Sequence, residues 1–106
     1  VARAVGVYVV SWRDGTFYQV DTAGRRTDLG RAPKAQLDGL VRTDGAYFAT
    51  SWEGQCIYRF GITGGCEALK GQFAQPADCG FDATRQRLLV PLFMQNKVEY
   101  VDVTPR

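Results

Sequence analysis

The chain has 106 residues, of which 45% are hydrophobic and 23% charged, an ordinary composition for one small globular domain. Thirteen Lys and Arg residues against eleven Asp and Glu leave a net charge of +2, too small to predict binding to nucleic acid or to an anionic membrane. The sequence contains no histidine, which excludes Ser-His-Asp triads, His-based acid–base catalysis and most zinc sites within these 106 residues.

The first third of the chain has the pattern of three short strands joined by tight turns. β-Branched and aromatic residues predict the strands, and the Asp14-Gly15 pair can supply the positive φ that a hairpin turn needs. The predicted strands are residues 5–12, 16–21 and 26–29. Pro33 marks residues 30–36 as a link, because proline cannot donate to a ladder of hydrogen bonds.

The central stretch, residues 37–70, predicts a complete unit of four strands. These strands are residues 37–41, 46–52, 55–60 and 66–70, with turns at 43–45, 53–54 and 62–65. If Thr63 and Gly64 form the tip of the last hairpin, Cys66 lies opposite Phe60 and not opposite Cys56. A second link, residues 71–76, leads to a third unit with predicted strands at 77–81, 87–92 and 97–103.

The three units are repeats of one pattern, with a period of about 40 residues. Ser11 and Trp12 recur as Ser51 and Trp52, and further matches at the same spacing join the following pairs: Tyr18 with Tyr58, Gly24 with Gly64, Leu29 with Leu69, and Asp38 with Asp78. A period of this length with several short strands per unit is typical of β-propeller blades. We therefore predict an all-β fold of about two and a half four-stranded antiparallel blades.

The predicted blades are incomplete at both ends. With the strands of a blade lettered A to D from the inside outward, residues 1–30 supply strands B–D, residues 37–70 a full blade, and residues 77–103 strands A–C. Sheets with uncovered faces and edges tend to pair with other strands. We expect the partners to be the remaining blades of a longer propeller, with this chain its C-terminal part, or further copies of the same chain.

The cysteines and the N-terminus bear on where the protein is found. Cys56, Cys66 and Cys79 have neither the even number of a disulfide framework nor the spacing of a CxxC site, so we expect free thiols in the core. Free thiols favour a reducing cytoplasm. No apolar run reaches the roughly 20 residues of a membrane helix, and no signal peptide opens the sequence, so no membrane association is expected.

Strand parity gathers the candidate site residues at one end of the blades. In a four-stranded meander, the D-to-A links and the B-to-C turns lie at the same end. That end carries Asp38 and Asp78, which begin inner strands and face the central channel, and Trp12, Trp52 and Glu53, which lie in turns. Carboxylates that converge in a concave mouth are plausible ligands for a hard divalent cation, and the same end could hold a small molecule.

A structural role is the alternative for each of these residues. An Asp at a strand entry often binds nearby backbone N–H groups, which applies more strongly to Asp78 than to Asp38. Trp12 and Trp52 occupy equivalent places, so packing between blades competes with ligand stacking. Glu53 is otherwise a solvated charge in a turn.

Several segments resemble the gluconolactonase, senescence-marker-protein and luciferin-regenerating-enzyme family. They are Leu-Asp-Gly-Leu-Val at residues 37–41, Ser-Trp-Glu-Gly at 51–54, Ile-Tyr-Arg at 57–59, Pro-Ala-Asp-Cys-Gly-Phe-Asp at 76–82, Leu-Leu-Val-Pro-Leu-Phe at 88–93 and Asn-Lys-Val at 96–98. The resemblance covers nearly the whole chain but only the last blades of a full-length member. Propeller repeats of the NHL type share many of these features.

The resemblance implies a six-bladed propeller with a divalent metal, calcium or zinc, on its axis. In the family, an Asp of the Asp-Gly motif ligates the metal and assists proton transfer during hydrolysis of a lactone or ester, a role that carries over to Asp38 alone. The family's other ligands have no matching positions here. The expected function is therefore a fragment of a metal-dependent hydrolase, inactive without its partners, or a non-catalytic propeller module that binds a ligand or protein or assembles.

Overall fold

The computed structural model describes residues 6–43, 45–62 and 64–104, and these form ten β-strands and no helix. The predicted strand start at Val5, the turn residue Asp44 and the hairpin-tip residue Thr63 lie outside the described residues. The strands are β1 (Val7–Val10), β2 (Thr16–Val20), β3 (Arg26–Arg31), β4 (Leu37–Arg42), β5 (Ala46–Ser51), β6 (Cys56–Gly61), β7 (Cys66–Ala68), β8 (Gly80–Asp82), β9 (Arg87–Leu92) and β10 (Lys97–Asp102). Among these residues, no helix is long and apolar enough to cross a membrane.

The strands form three antiparallel sheets, which confirms the predicted fold class. The first sheet has the order β1-β2-β3, the second β4-β5-β6-β7 and the third β10-β9-β8. We call them the first, second and third blades. Within each sheet, strands that are consecutive along the chain pair with each other, as in the meander of a propeller blade.

Several predicted strand boundaries differ from the structure by one to three residues, and two of these differences have a clear physical cause. The inner strand of the third blade begins at Gly80 and not at Ala77, because an isolated bridge between Pro76 and Leu92 precedes an irregular segment. The outer strand β3 continues to Arg31, past the predicted end at Leu29, because Thr16 and Arg31 pair across the sheet. Both differences follow from cross-strand pairing, which local sequence preferences do not report.

The central blade is buried on both faces, which explains why all six residues of β5 are buried. On one face, a cluster that includes Phe17 from the first blade and Tyr47, Tyr58 and Phe60 from the second joins these two blades. The Phe17 ring centroid lies 4.9 Å from that of Tyr47 and 5.0 Å from that of Phe60. Burying a side chain of this size contributes about 1.5–3 kcal/mol, so the aromatic contacts hold the first blade in place.

A second apolar cluster joins the second and third blades. Phe48 and Ile57 from the second blade pack with Leu88, Val90 and Leu92 from the third. These three residues alternate with half-buried neighbours along β9, the period of a strand with one covered face. Within the part of the chain that the structure describes, the third blade is therefore covered only on the side of the second.

The outer face of each terminal blade is apolar. On the first blade it carries Val7, Val9, Tyr18 and Val20, and on the third blade Leu89, Pro91, Val98 and Tyr100. Val7, Val98 and Tyr100 are 62%, 53% and 63% exposed. These faces correspond in the repeat to faces of the second blade that are buried against a neighbour.

The three cysteines are free thiols, and Cys66 pairs across the sheet with Phe60 as the hairpin argument predicted. Cys56 is buried within the cluster between the first and second blades. Cys66 packs against the same cluster from the outer strand, and Cys79 packs against the cluster between the second and third blades. The thiols thus serve as small apolar side chains in the two cores.

Candidate functional site

Each of the two inner strands carries an irregularity near the predicted site. In the second blade, Leu37 pairs with Ser51 and Leu40 with Ala49, so the register shifts at Asp38 and Gly39. In the third blade, the bridge from Pro76 to Leu92 is followed by pairing of Gly80 with Leu89, which leaves residues 77–79 outside the ladder. Bulges of this kind re-aim side chains and are frequent beside functional sites.

The two bulges touch each other. A methyl group at Gly39 would lie 2.6 Å from the backbone nitrogen of Cys79 and 2.9 Å from the Cα atom of Asp78. Only glycine permits this approach, because neither neighbour is the movable end of a side chain. Asp38 in β4 and Asp78 in the segment before β8 are thus brought near each other, and both are exposed.

A buried hydroxyl joins the same two bulges. Thr50, which is fully buried in β5, accepts a hydrogen bond of 2.8 Å from the backbone N–H of Gly39. Its hydroxyl donates in turn to the carbonyl oxygen of Ala77 at 3.0 Å. One side chain therefore satisfies a donor in the second blade and an acceptor in the third, and sets the spacing of the bulges.

The negative charges of Asp38 and Asp78 affect the pKa of the Cys79 thiol. Burial first, and then the negative charges of Asp78 and Asp38, raise the pKa of this thiol to about 12. The sulfur is a neutral thiol at physiological pH. It is therefore unsuited to bind a soft metal as a thiolate.

Three aromatic side chains form a row across the B-to-C turns of the three blades. The ring centroids of Trp12 and Trp52 lie 5.4 Å apart, and those of Trp52 and Phe93 are also 5.4 Å apart. Trp12 is 47% exposed and Phe93 62% exposed, whereas Trp52 lies half-buried between them. We call Trp12, Trp52 and Phe93 the aromatic row. It packs the blades together and also presents ring surface to solvent.

The row has one unsatisfied polar atom. The indole Nε1 of Trp52 is buried and has no hydrogen-bond partner. The backbone of the row is held, because the N–H of Trp52 donates to the carbonyl of Gln36 and the N–H of Phe93 donates to that of Gln75. The two bonds correspond in successive blades, so the D-to-A link of one blade fixes the turn of the next.

Glu53 takes part in the link between the first and second blades. Its Oε1 accepts a hydrogen bond of 2.7 Å from the N–H of Ala35, while the hydroxyl of Ser51 donates to the Ala35 carbonyl at 2.7 Å. Both polar backbone groups of Ala35 are thereby satisfied by the second blade. The carboxylate of Glu53 has a structural partner, and its role in ligand binding stays a prediction.

The side chains available as ligands can be compared with those that the predicted calcium or zinc ion would need. Among the described residues, no group of three or more His, Cys, Asp or Glu side chains is placed to hold a metal ion. Asp38 and Asp78 offer carboxylate oxygens, which suit calcium with its six to eight oxygen ligands better than zinc, which favours nitrogen and sulfur. The two aspartates fit part of a calcium site, and the other ligands would come from outside these residues.

Sequence reasoning missed the contacts that three residues make. Strand parity places the turn at residues 93–96 at the same end as Trp12 and Trp52, but it does not show that the ring of Phe93 packs against Trp52. Gly39 and Thr50 join the bulges, but nothing in their local sequence shows that they meet another blade. Only the packing of two blades reveals such contacts.

Comparison with known proteins supports the fold and goes no further. No family of known proteins and no curated protein matches the chain. Among solved structures, selenomethionine-substituted virginiamycin B lyase from Staphylococcus aureus is similar with a TM-score of 0.62 and 15% identity over 96% of this chain and 40% of that one. A catalytically inactive histidine-to-alanine variant of the same lyase with quinupristin has a TM-score of 0.59 and 16% identity over 93% and 38% of the two chains.

These identities show a shared fold alone, and this chain spans about two fifths of the length of those proteins. The similarity confirms the propeller-type fold predicted from the repeat. It leaves the resemblance to the gluconolactonase group as a prediction. The chain is, in fold, a run of β-propeller blades.

Proposed function

We propose that this chain is a segment of a β-propeller that supplies Asp38 and Asp78 to a divalent-cation site at the axial opening. The observation that supports the proposal is the contact of the two bulges, which brings Asp38 of β4 near Asp78 in the segment before β8, with both residues exposed. Oxygen donors favour calcium as the ion. The remaining ligands belong to other blades, because two carboxylates do not fill its coordination sphere.

The proposed reaction of the whole propeller is hydrolysis of a lactone or ester. A divalent cation in such a site supplies Lewis acidity to the carbonyl oxygen of the substrate. In this proposal, the carboxylate of Asp38 accepts a proton from the attacking water, and Asp78 is a further ligand of the cation. The hydrogen bonds of Thr50 to Gly39 and Ala77, the neighbours of the two aspartates in the chain, support this proposal because they fix the backbone beside both carboxylates.

Lyase chemistry like that of the structural neighbour is not part of the proposal. A histidine-to-alanine variant of that protein is catalytically inactive. The 106 residues here contain no histidine, so they offer no counterpart for that side chain. Carboxylates are the acid–base groups that this chain brings to the opening.

Calcium titration followed by thermal unfolding tests the proposed site. We expect Tm to rise with calcium over the millimolar range, because an ion that binds only the folded state stabilises it by mass action. Asp38→Asn and Asp78→Asn should each abolish the rise. Asp28→Asn is the matched control, since Asp28 lies on the outer strand β3 and pairs with Arg26.

The result that would overturn the site is an unchanged Tm of the parent chain across the titration. An equal rise in all four proteins would do the same, because it would show binding elsewhere on the surface. Zinc in a parallel titration should shift Tm less than calcium, as expected from the oxygen donors.

A second candidate function is a non-catalytic module that binds a ligand or protein and assembles through its blades. The exposed parts of the aromatic row and the apolar outer faces favour it. Sedimentation equilibrium tests the assembly, for which we expect a mass above that of one chain. A well-folded monomer over the whole concentration range would contradict self-association.

A further inference from the structure

The indole N–H of Trp52 is a buried hydrogen-bond donor without a partner. Its Nε1 and the Nε of Arg87 are the two buried side-chain nitrogen or oxygen atoms of the described residues that lack one. Arg87 has further N–H groups, and its Cζ lies 4.6 Å from the centroid of the Tyr100 ring. The indole N–H, in contrast, is the single polar group of the Trp52 side chain. Since an unpaired buried donor costs free energy, this one requires a physical explanation.

The surroundings of Trp52 are formed by described blades on both sides. The ring of Trp12 in the first blade and the ring of Phe93 in the third each lie 5.4 Å from it, centroid to centroid. Trp12 is 47% exposed, and the Phe93 side chain has no polar atom. Of the three equivalent positions in the aromatic row, the middle one therefore has the buried donor without a partner.

Two residues with left-handed backbone hold the turn of Trp52. The N–H of Trp52 donates to the carbonyl of Gln36 at 2.9 Å, and the N–H of Gln55 donates to the carbonyl of Trp52 at 3.3 Å. The φ angles of Gln36 and Gln55 are +59° and +50°, in the region that favours glycine. Such conformations cost free energy and are frequent where a protein clamps a ligand. The turn thus fixes the backbone that carries the unpaired donor.

Phe93 is the more mobile of the two rings beside Trp52. It is 62% exposed, and Met94, the next residue of the same turn, is 68% exposed. A side chain with so much free surface loses few contacts when it changes rotamer. Rotation of the Phe93 ring would open a path to Nε1, and the apolar surfaces of Phe93 and Met94 would then border the entering molecule.

Trp52 lies close to the proposed cation site. Leu37, which precedes Asp38, pairs with Ser51, which precedes Trp52. One cross-strand pair and two steps along the chain therefore separate the Cα atoms of Asp38 and Trp52, a distance on the order of 10 Å. A small molecule at the cation site is within reach of the indole. Burial of an ionised acceptor among aromatic rings costs far more than burial of a neutral oxygen, so the ligand is uncharged there.

We propose that the indole N–H of Trp52 binds the substrate by donating a hydrogen bond to an uncharged oxygen of an ester or lactone. The inference rests on the proposed function and deepens it, because it adds a substrate-binding residue and narrows the substrate class. The substrate is a neutral ester or lactone whose apolar part packs on Phe93 and Met94. Hydrolysis turns it into a carboxylate, which the same site holds less tightly.

Nuclear magnetic resonance of the isotope-labelled chain tests the hydrogen bond directly. The chain has two tryptophans, so proton–nitrogen correlation spectra contain two indole N–H signals, and Trp12→Phe identifies which belongs to Trp52. On titration with γ-butyrolactone in the absence of calcium, we expect a saturable downfield shift of the Trp52 signal and a smaller change at Trp12. The ring-opened hydroxy acid should bind at least about tenfold more weakly.

Two matched substitutions remove one indole each and keep an aromatic ring. Trp52→Phe should weaken lactone binding about tenfold, measured from the backbone signals of the turn at residues 93–96, because the donor is lost. Trp12→Phe should change the affinity less. Far-UV circular dichroism checks that both variants keep the fold. If Trp52→Phe does not fold, the Trp52 indole signal of the parent chain, with that of Trp12 as internal reference, decides the question.

Three results would overturn the proposal: no saturable shift of the Trp52 signal, equal binding of the hydroxy acid, or unchanged lactone affinity in a folded Trp52→Phe chain. The outcome is separable from that of the calcium titration. If calcium raises Tm but the lactone leaves the indole signal unmoved, this inference fails and the cation site stands. If the lactone shifts the signal but calcium leaves Tm unchanged, the cation site fails and Trp52 stands as a ligand-binding residue.

Discussion

The hydroxyl of Thr50 in the second blade donates a hydrogen bond of 3.0 Å to the carbonyl of Ala77 in the third. The same oxygen accepts the N–H of Gly39, so one buried atom joins the backbones of two blades at the proposed axial opening. Bulged inner strands have groups that the sheet ladder does not satisfy. The hydroxyl of Thr50 supplies the missing partners of Gly39 and Ala77, and it thereby holds the backbone beside Asp38 and Asp78 in place.

Replacement of Thr50 by valine should destabilise the chain by about 1–3 kcal/mol, because it leaves a buried donor and a buried acceptor without partners. Valine keeps the shape, so the loss reports the hydroxyl. Chemical denaturation measures the change in free energy of unfolding. Thr50→Ser keeps the hydroxyl and is the control; an unchanged free energy of unfolding in Thr50→Val would contradict the bridging role of the hydroxyl.

Replacement of Gly39 by alanine should cost about 1–3 kcal/mol or more, because the new methyl group would meet the backbone of the third blade. Gly45→Ala is the matched control, since a methyl group there has no atom within 4 Å. It should change stability by less than about 0.5 kcal/mol. Equal effects of the two substitutions on the denaturation midpoint would show that the bulges do not touch.

The thiol of Cys79 should react slowly with iodoacetamide in the folded chain, since burial and then the charges of Asp78 and Asp38 raise its pKa to about 12. Asp78→Asn should lower that pKa and speed alkylation, which peptide mapping by mass spectrometry measures at each cysteine. Reaction at Cys56 should not change. An alkylation rate at Cys79 that stays the same in Asp78→Asn would contradict the placement of the aspartate beside the thiol.

The same shift predicts a loss of stability in alkali. The pKa of Cys79 is raised from about 9 in the unfolded chain to about 12 in the folded chain. The contribution of this thiol to the free energy of unfolding is therefore complete below pH 9 and is lost as the pH rises toward 12. Cys79→Ala should remove this part of the alkaline slope. The comparison is the free energy of unfolding of both proteins at about pH 8 and above, and parallel curves would contradict it.

Asp14, in the first B-to-C turn, should contribute to the stability of the chain in a way that depends on pH in the acid range. The N–H of Thr16, followed by its side chain, donates to the carboxylate and lowers the pKa of Asp14 from 3.8 to about 2. The contribution is complete above the unfolded pKa and is lost as the pH falls through about 2. The Tm gap between the parent and Asp14→Asn should therefore close in acid; a constant gap would show that the charge does not matter.

Most of the fold could be predicted from local patterns. The Asp-Gly turn, the alternation along β9 and the return of Ser11-Trp12 at Ser51-Trp52 were enough to predict ten strands in three meanders. Of the candidate site, the sequence placed Asp38 and Asp78 on one end by parity. It did not reveal the bulge at Gly39 or the late start of β8, because both depend on contact with another strand or blade.

The sequence by itself determined the strands, their order and the end that collects polar groups, because turns and side-chain alternation are local properties of the chain. Only the tertiary structure decided that Gly39 meets Asp78, that Thr50 bridges two blades, and that Phe93 extends the pair of tryptophans. The physical reason is that these contacts join residues from separate sheets. Their distances are set by the packing of two apolar cores and not by any spacing along the chain.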